Sequence, residues 1–171
     1  ITWEFNIVNG KATDLYVTRN VKTNVITIPT EVTNEEDGVT YPVVSVGMSD
    51  VINKSSLFFG SLEPNTTVSF AQKDGKTSIT KINAYAFYGC TNTQSVNIPD
   101  SVTEIGDYAF YNCGRISSFT IPYDLTKIGK GAFEKCTSAT LTIENPNLAK
   151  ENLVDSGITF IVGCSNSTAR E

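Results

Sequence analysis

Apolar and polar positions follow a fixed order along residues 95–110. Val96 and Ile98 alternate with Ser95 and Asn97, the period of a strand with one face turned inward. Pro99 has no N–H to donate and stops the ladder. Val102 and Ile105 bring the chain back to the interior on a second short extended segment, and Gly106 allows a sharp turn. Ala109-Phe110 then drops a large ring into the centre of the loop so formed. The order recurs with Ile116, Phe119, Ile121, Pro122, Leu125, Ile128 and Gly129. Its anchors are Ala86-Phe87-Tyr88-Gly89-Cys90, Ala109-Phe110-Tyr111-Asn112-Cys113 and Ala132-Phe133-Glu134-Lys135-Cys136, each 23 residues after the last.

A unit of this kind cannot bury its own apolar face, so neighbouring units must stack and share one core. Phe87, Phe110 and Phe133 are then expected in one row. The pattern resembles the BspA-like, or type 5, leucine-rich repeat, with its I-G-x-x-A-F-x-x-C-x-x-L-x-x-V-x-I-P-x-x-V signature. That signature is carried here by residues 82–102, 105–125 and 128–143. Asn83 departs from the Gly, Thr93 and Ala139 depart from the Leu, and the third unit is one residue short before Leu141 and Ile143. The resemblance implies an α/β-class leucine-rich-repeat solenoid, mostly β and right-handed, of about six coils.

The first half reads as a decayed version. Ile26-Thr27-Ile28-Pro29 and Val32 match the V-x-I-P-x-x-V segment, and Asn34-Glu35-Glu36-Asp37-Gly38 is an inserted polar turn. Tyr41-Pro42-Val43-Val44-Ser45-Val46-Gly47 resumes at the I-G position, after which Val51, Ile52 and Leu57 are expected to fill the core. Val68-Ser69-Phe70 reads as a strand that runs through a hairpin at Asp74-Gly75 into Ile79 and Ile82. Residues 2–8, a turn at Asn9-Gly10 and residues 12–18 form a predicted β-hairpin cap, with Trp3, Phe5 and Ile7 on the face laid over the first coil. At the other end a short helix over 147–155, a strand over 158–162 and a tail from Gly163 to Glu171 are expected to close the array. The chain is thus expected to be one domain, 1–171. Its parts are a hairpin cap at 1–24, degenerate repeats at 25–78, regular repeats at 79–143 and a C-terminal cap at 144–171.

Composition narrows the chemistry. Of 171 residues 40% are hydrophobic and 18% charged, a balance for a folded chain. Thirteen Lys and Arg are scattered among 18 acids for a net charge of −5, which argues against a nucleic-acid partner. No apolar run approaches the roughly 20 residues of a membrane span. Ile1 follows no Met, basic or apolar leader, so the chain reads as a mature or trimmed form whose export signal is out of view. With no His, Ser-His-Asp and Cys-His catalysis and all His-containing zinc sites are excluded.

Cys90, Cys113 and Cys136 share one repeat position and are expected to stack about 4.8 Å apart as small buried thiols, their parallel Cβ vectors disfavouring disulfides. Cys164 lies outside the register and takes a structural role. Lys81, Glu104 and Lys127 occupy equivalent sites beside Thr80, Thr103 and Thr126 and are expected to pair across units. Glu35-Glu36-Asp37 lacks the alternating oxygens of a calcium loop. Sequons begin at Asn53, Asn65 and Asn166. No facing carboxylate pair, phosphate loop or nucleophile elbow is present, so no catalytic, metal or cofactor site is expected.

Two surfaces remain as binding candidates. Tyr85 and Tyr108 share one repeat position and Tyr88 and Tyr111 another; either they form an exposed aromatic ladder or the rings fold over the Phe core. Ser95, Asn97, Ser118, Thr120, Thr140 and Thr142 are expected along the outer face of the main strand ladder. The family resemblance implies a non-enzymatic binding module, extracellular or on a bacterial surface, with host matrix proteins, other surface proteins or glycans as partners. Similar repeats occur in some protozoan surface proteins. The alternative is a spacer presenting another domain.

Overall fold

A computed structural model describes residues 1–17, 23–47, 64–143, 145, 148 and the backbone of 161–162. The strands are β1 (Glu4–Val8), β2 (Lys11–Tyr16), β3 (Val25–Ile28), β4 (Glu31–Thr33), β5 (Thr40–Pro42), β6 (Ser45–Val46) and β7 (Thr66–Phe70). They continue as β8 (Lys81–Ile82), β9 (Thr93–Val96), β10 (Glu104–Ile105), β11 (Ser118–Ile121), β12 (Lys127–Ile128), β13 (Thr140–Ile143) and β14 (Ile161–Val162). No helix occurs among the described residues. The helix expected over 147–155, the core sites Val51, Ile52 and Leu57, Cys164 and the sequons at Asn53 and Asn166 lie outside them.

The I-G positions build the longest sheet, in the order β1-β2-β6-β8-β10-β12. Leu15, Val46, Ile82, Ile105 and Ile128 stand in parallel register along it. Close approach explains the glycines beside this row: a Cβ on Gly129 would collide with the Asp107 backbone. Asn83 fills the same position two units earlier and is itself buried. Its Nδ2 donates to the Gly47 carbonyl at 2.5 Å and to Asp14 Oδ1 at 2.8 Å, tying the first hairpin to the repeats.

That hairpin, β1 on β2, is antiparallel and turns at Asn9-Gly10, both with positive φ. Trp3 and Phe5 pack against the core, whereas Ile7 is 40% exposed. Ile7 therefore does not cover the interior as expected: the register shifts between Glu4 and Asn6, and beyond it Asn6, Ile7 and Val8 are all exposed.

The other strands depart from a continuous ladder. They form two separate sheets, β3-β7-β9 and β11-β13-β14. β9 pairs with β7 through a bulge between Thr66 and Thr67 and ends at Val96, while β11 occupies the positions equivalent to 95–98. A bulge adds local twist, and the ladder is not carried across it to β11. Between β11 and β13 the missing residue is absorbed in register, Phe119 against Leu141 and Ile121 against Ile143. The inserted turn after Thr33 closes a hairpin of β4 on β5, so Tyr41 pairs with Val32 and the I-G row resumes only at β6. Asp74-Gly75 does form a tight turn between Lys73 and Lys76, but β8 pairs with β6 and β10 rather than back on β7.

Phe87, Phe110 and Phe133 are buried in one stacked row, with centroids 4.9 and 5.4 Å apart and planes 4° and 5° apart. Phe119 inserts beside Phe110 and Phe133 at 5.1 and 4.8 Å. Cys90, Cys113 and Cys136 remain buried thiols. The Cys113 thiol donates to the Phe87 carbonyl at 3.1 Å and the Cys136 thiol to that of Phe110 at 3.0 Å. Backbone bonds cross each junction in two senses. Tyr85, Phe87 and Gly89 donate forward to the carbonyls of Asp107, Ala109 and Tyr111. Thr103, Glu104 and Gly106 donate backward to those of Thr80 and Ile82.

Candidate functional site

The turn after each I-G strand places its tyrosine in an unusual backbone state. Tyr85 and Tyr108 have φ of 58° and 53°, the left-handed region. Holding a residue with a Cβ there costs about 1–2 kcal/mol. In the next unit the same turn is made by Gly131, at φ 61°, without that cost. Forward bonds at 2.9 Å, from Tyr85 N–H to Asp107 O and from Tyr108 N–H to Lys130 O, hold the strained turns in place.

The rings form a two-by-two array. Tyr88 stacks on Tyr111 at 4.7 Å with planes 6° apart, and Tyr85 on Tyr108 at 5.4 Å with planes 22° apart. Across the rows Tyr85 meets Tyr88 at 50° and Tyr108 meets Tyr111 at 71°. All four are half-buried, so the array is neither a fully exposed ladder nor a lid closed over the Phe core. The array borders a furrow of about 280 Å³, lined by the four tyrosines and Glu134.

Glu134 and Lys135 belong to this site and were not singled out in the sequence. Glu134 takes the position of Tyr88 and Tyr111 in the third unit. Lys135 Nζ sits 5.0 Å from the Tyr111 ring centroid, a cation–π contact. A hydrogen bond with Tyr111, with the negative charge of Glu134 adding to it, raises the Lys135 ammonium above its usual range. The readable signal was the break in the tyrosine pattern, Gly131 and Glu134 where two more rings would stand. The Tyr108 ring edge lies over Gly131, where any Cβ would collide with it.

The small polar candidates lie elsewhere. Ser118 and Thr120 are exposed on β11 and Thr142 is half-buried on β13, while exposed Asn97 lies past the end of β9. Ser95 and Asn97 thus belong to the β3-β7-β9 side and the others to the β11-β13-β14 sheet, with no strand pairing between the two. A second hollow of about 170 Å³ is lined by Lys81, Asn83, Ala84, Glu104, Gly106, Asp107 and Lys127. Its main charges neutralise one another: Glu104 bridges Lys127 at 2.8 Å and Lys81 at 3.3 Å. Glu104 is held below the usual carboxylate range by the Lys127 hydrogen bond and, less strongly, by Lys81. Among the described residues no group of three or more Cys, Asp or Glu is placed to hold a metal ion, and no helix is long and apolar enough to cross a membrane.

Residues 65–161 match six copies of the BspA type leucine rich repeat region. A leucine-rich repeat protein from Bacteroides capillosus is similar in structure, with a TM-score of 0.59 and 24% identity over 84% of this chain and 94% of that one. A leucine-rich repeat protein from Bacteroides ovatus gives 0.49 and 19% over 95% and 51%. A leucine rich cell surface protein from Faecalibacterium prausnitzii gives 0.32 and 20% over 88% and 55%. No curated protein matches in sequence.

Proposed function

This chain belongs to the BspA-type leucine-rich-repeat family, and on that premise we propose that it is a non-enzymatic binding module of a bacterial surface or secreted protein, with the tyrosine furrow as its contact face. One observation carries the choice of face: two tyrosines are kept in a backbone state that glycine adopts freely one unit later. Strain held at a surface position points to a role that the fold itself does not need. Half-buried rings around a furrow supply large contact area at little conformational cost. The partner is a protein, such as a host matrix or surface protein, or a glycan.

Wild-type chain and a Tyr88→Ser/Tyr111→Ser variant, immobilised side by side, test this against matrix proteins and glycans. A partner that binds the wild type and is lost from the variant supports the reading. Equal binding to both moves the contact face away from the tyrosines. The exposed Ser118 and Thr120 on β11 favour a second reading, a spacer with a bland polar surface. It prevails if no partner binds. Protease shaving of intact cells tests the surface location, which fails if the chain is released only on lysis.

The family and the parallel registers also support a single domain wound right-handed in about six coils, with caps at 1–24 and 144–171. An experimental structure with left-handed crossovers between β8 and β10 would remove that part of the reading.

A further inference from the structure

We propose that the furrow lined by the four tyrosines and Glu134 holds an organic cation, an ammonium group brought by a free small amine or by a lysine side chain of a partner protein. The inference rests on the furrow being the contact face and adds the class of ligand. Among its five lining residues Glu134 is the only acid, and none is basic. The rows meet at 50° and 71°, and polar atoms make up more of the furrow's exposed wall than ring carbons do. Ring faces carry the negative part of the aromatic quadrupole and attract cations. A carboxylate at the end of such a furrow adds a second attraction of the same sign. The chain's net charge of −5 favours the approach of a cation as well.

The chain already supplies an example of this contact. Lys135 Nζ lies over Tyr111 at 5.0 Å, beside but not within the lining. It acts as a tethered cation that competes for the same ring and for Glu134.

The test is a titration of the isotope-labelled full chain, read by NMR shifts of Tyr85, Tyr88, Tyr108, Tyr111 and Glu134. The probes are choline, its uncharged isostere 3,3-dimethylbutanol, a short lysine-containing peptide and glucose. Choline or the peptide is expected to shift the furrow signals, and the isostere and glucose to leave them unmoved. Choline binding alone marks a free amine; tighter binding of the peptide marks a partner's side chain. Glu134→Gln, a change of charge at nearly constant shape, should weaken binding roughly five-fold. Lys135→Gln should strengthen it, an effect that a merely structural lysine does not produce.

Equal binding of choline and its isostere, or weaker binding in Lys135→Gln, overturns the inference. Glucose in the furrow without the cations also overturns it, yet leaves the furrow as the contact face. If no probe moves the furrow and the partner screen finds binding that the tyrosine variant keeps, both readings fall.

Discussion

Phe110 packs against three rings, with Phe87 on one face, Phe133 on the other and Phe119 against its side. Phe110→Ala is expected to cost about 3–5 kcal/mol in a urea titration, because the stacked row cannot collapse into the space without breaking the register of the strands. Thr93 is the opposite case. It occupies a leucine position, is buried, and its hydroxyl has no hydrogen-bond partner among the described residues. A buried donor without a partner is destabilising, so Thr93→Val, of the same shape, should raise stability by about 1 kcal/mol in the same assay. Both positions were visible in the sequence, Phe110 as an invariant of the repeat and Thr93 as an exception to it. The orientation of the four tyrosines was not visible. Spacing puts rings in rows, but the tilt between rows depends on left-handed turns, which no apolar pattern encodes in a non-glycine residue.

Asn83 shows how an exception within an element can carry a function in the fold. It stands in the glycine row just after β8 and donates its amide to Gly47 and Asp14, thereby attaching the hairpin of β1 and β2. Asn83→Gly restores the repeat consensus and is nonetheless expected to lose about 1–3 kcal/mol. Amide exchange should quicken first in β1 and β2, and uniform exchange across all strands would contradict the attachment. The row Lys81, Glu104 and Lys127 on β8, β10 and β12 makes a pH-dependent contribution. The Glu104 carboxyl titrates below its ordinary value in the folded chain. Its contribution is therefore complete above the ordinary carboxylate range and is lost as pH falls through the depressed folded value. The stability gap between wild type and Glu104→Gln should be constant at neutral pH and close on acidification. A gap that widens in acid would refute the pairing. The Lys-Glu-Lys alternation was legible from equivalent positions alone. The β4–β5 hairpin and the break between β9 and β11 were not, since each depends on an insertion or bulge that shifts pairing without altering the apolar pattern.

For the whole molecule, the regular part was readable because three units keep one register, so any misplacement would bury polar residues three times over. The degenerate part lacks that redundancy: β7 pairs with β3 across 42 residues, Ile26 against Val68, a separation no local spacing announces. A chain without imidazole should also hold a flat stability plateau. Thermal midpoints measured between pH 6 and 7 should coincide within a degree or two, and a step at higher pH would point to Cys136, whose thiol is held below its usual value by the hydrogen bond with Cys113.

The two senses of hydrogen bonding at each junction bear on how long such an array can grow. In an α-helix every peptide dipole points the same way and charge accumulates at the termini. Here the three forward donors at Tyr85, Phe87 and Gly89 face the three backward donors at Thr103, Glu104 and Gly106, so their dipoles oppose across the section. A longer relative gains contacts with each added unit and builds no comparable polarisation at its ends, leaving electrostatics no reason to favour one length over another.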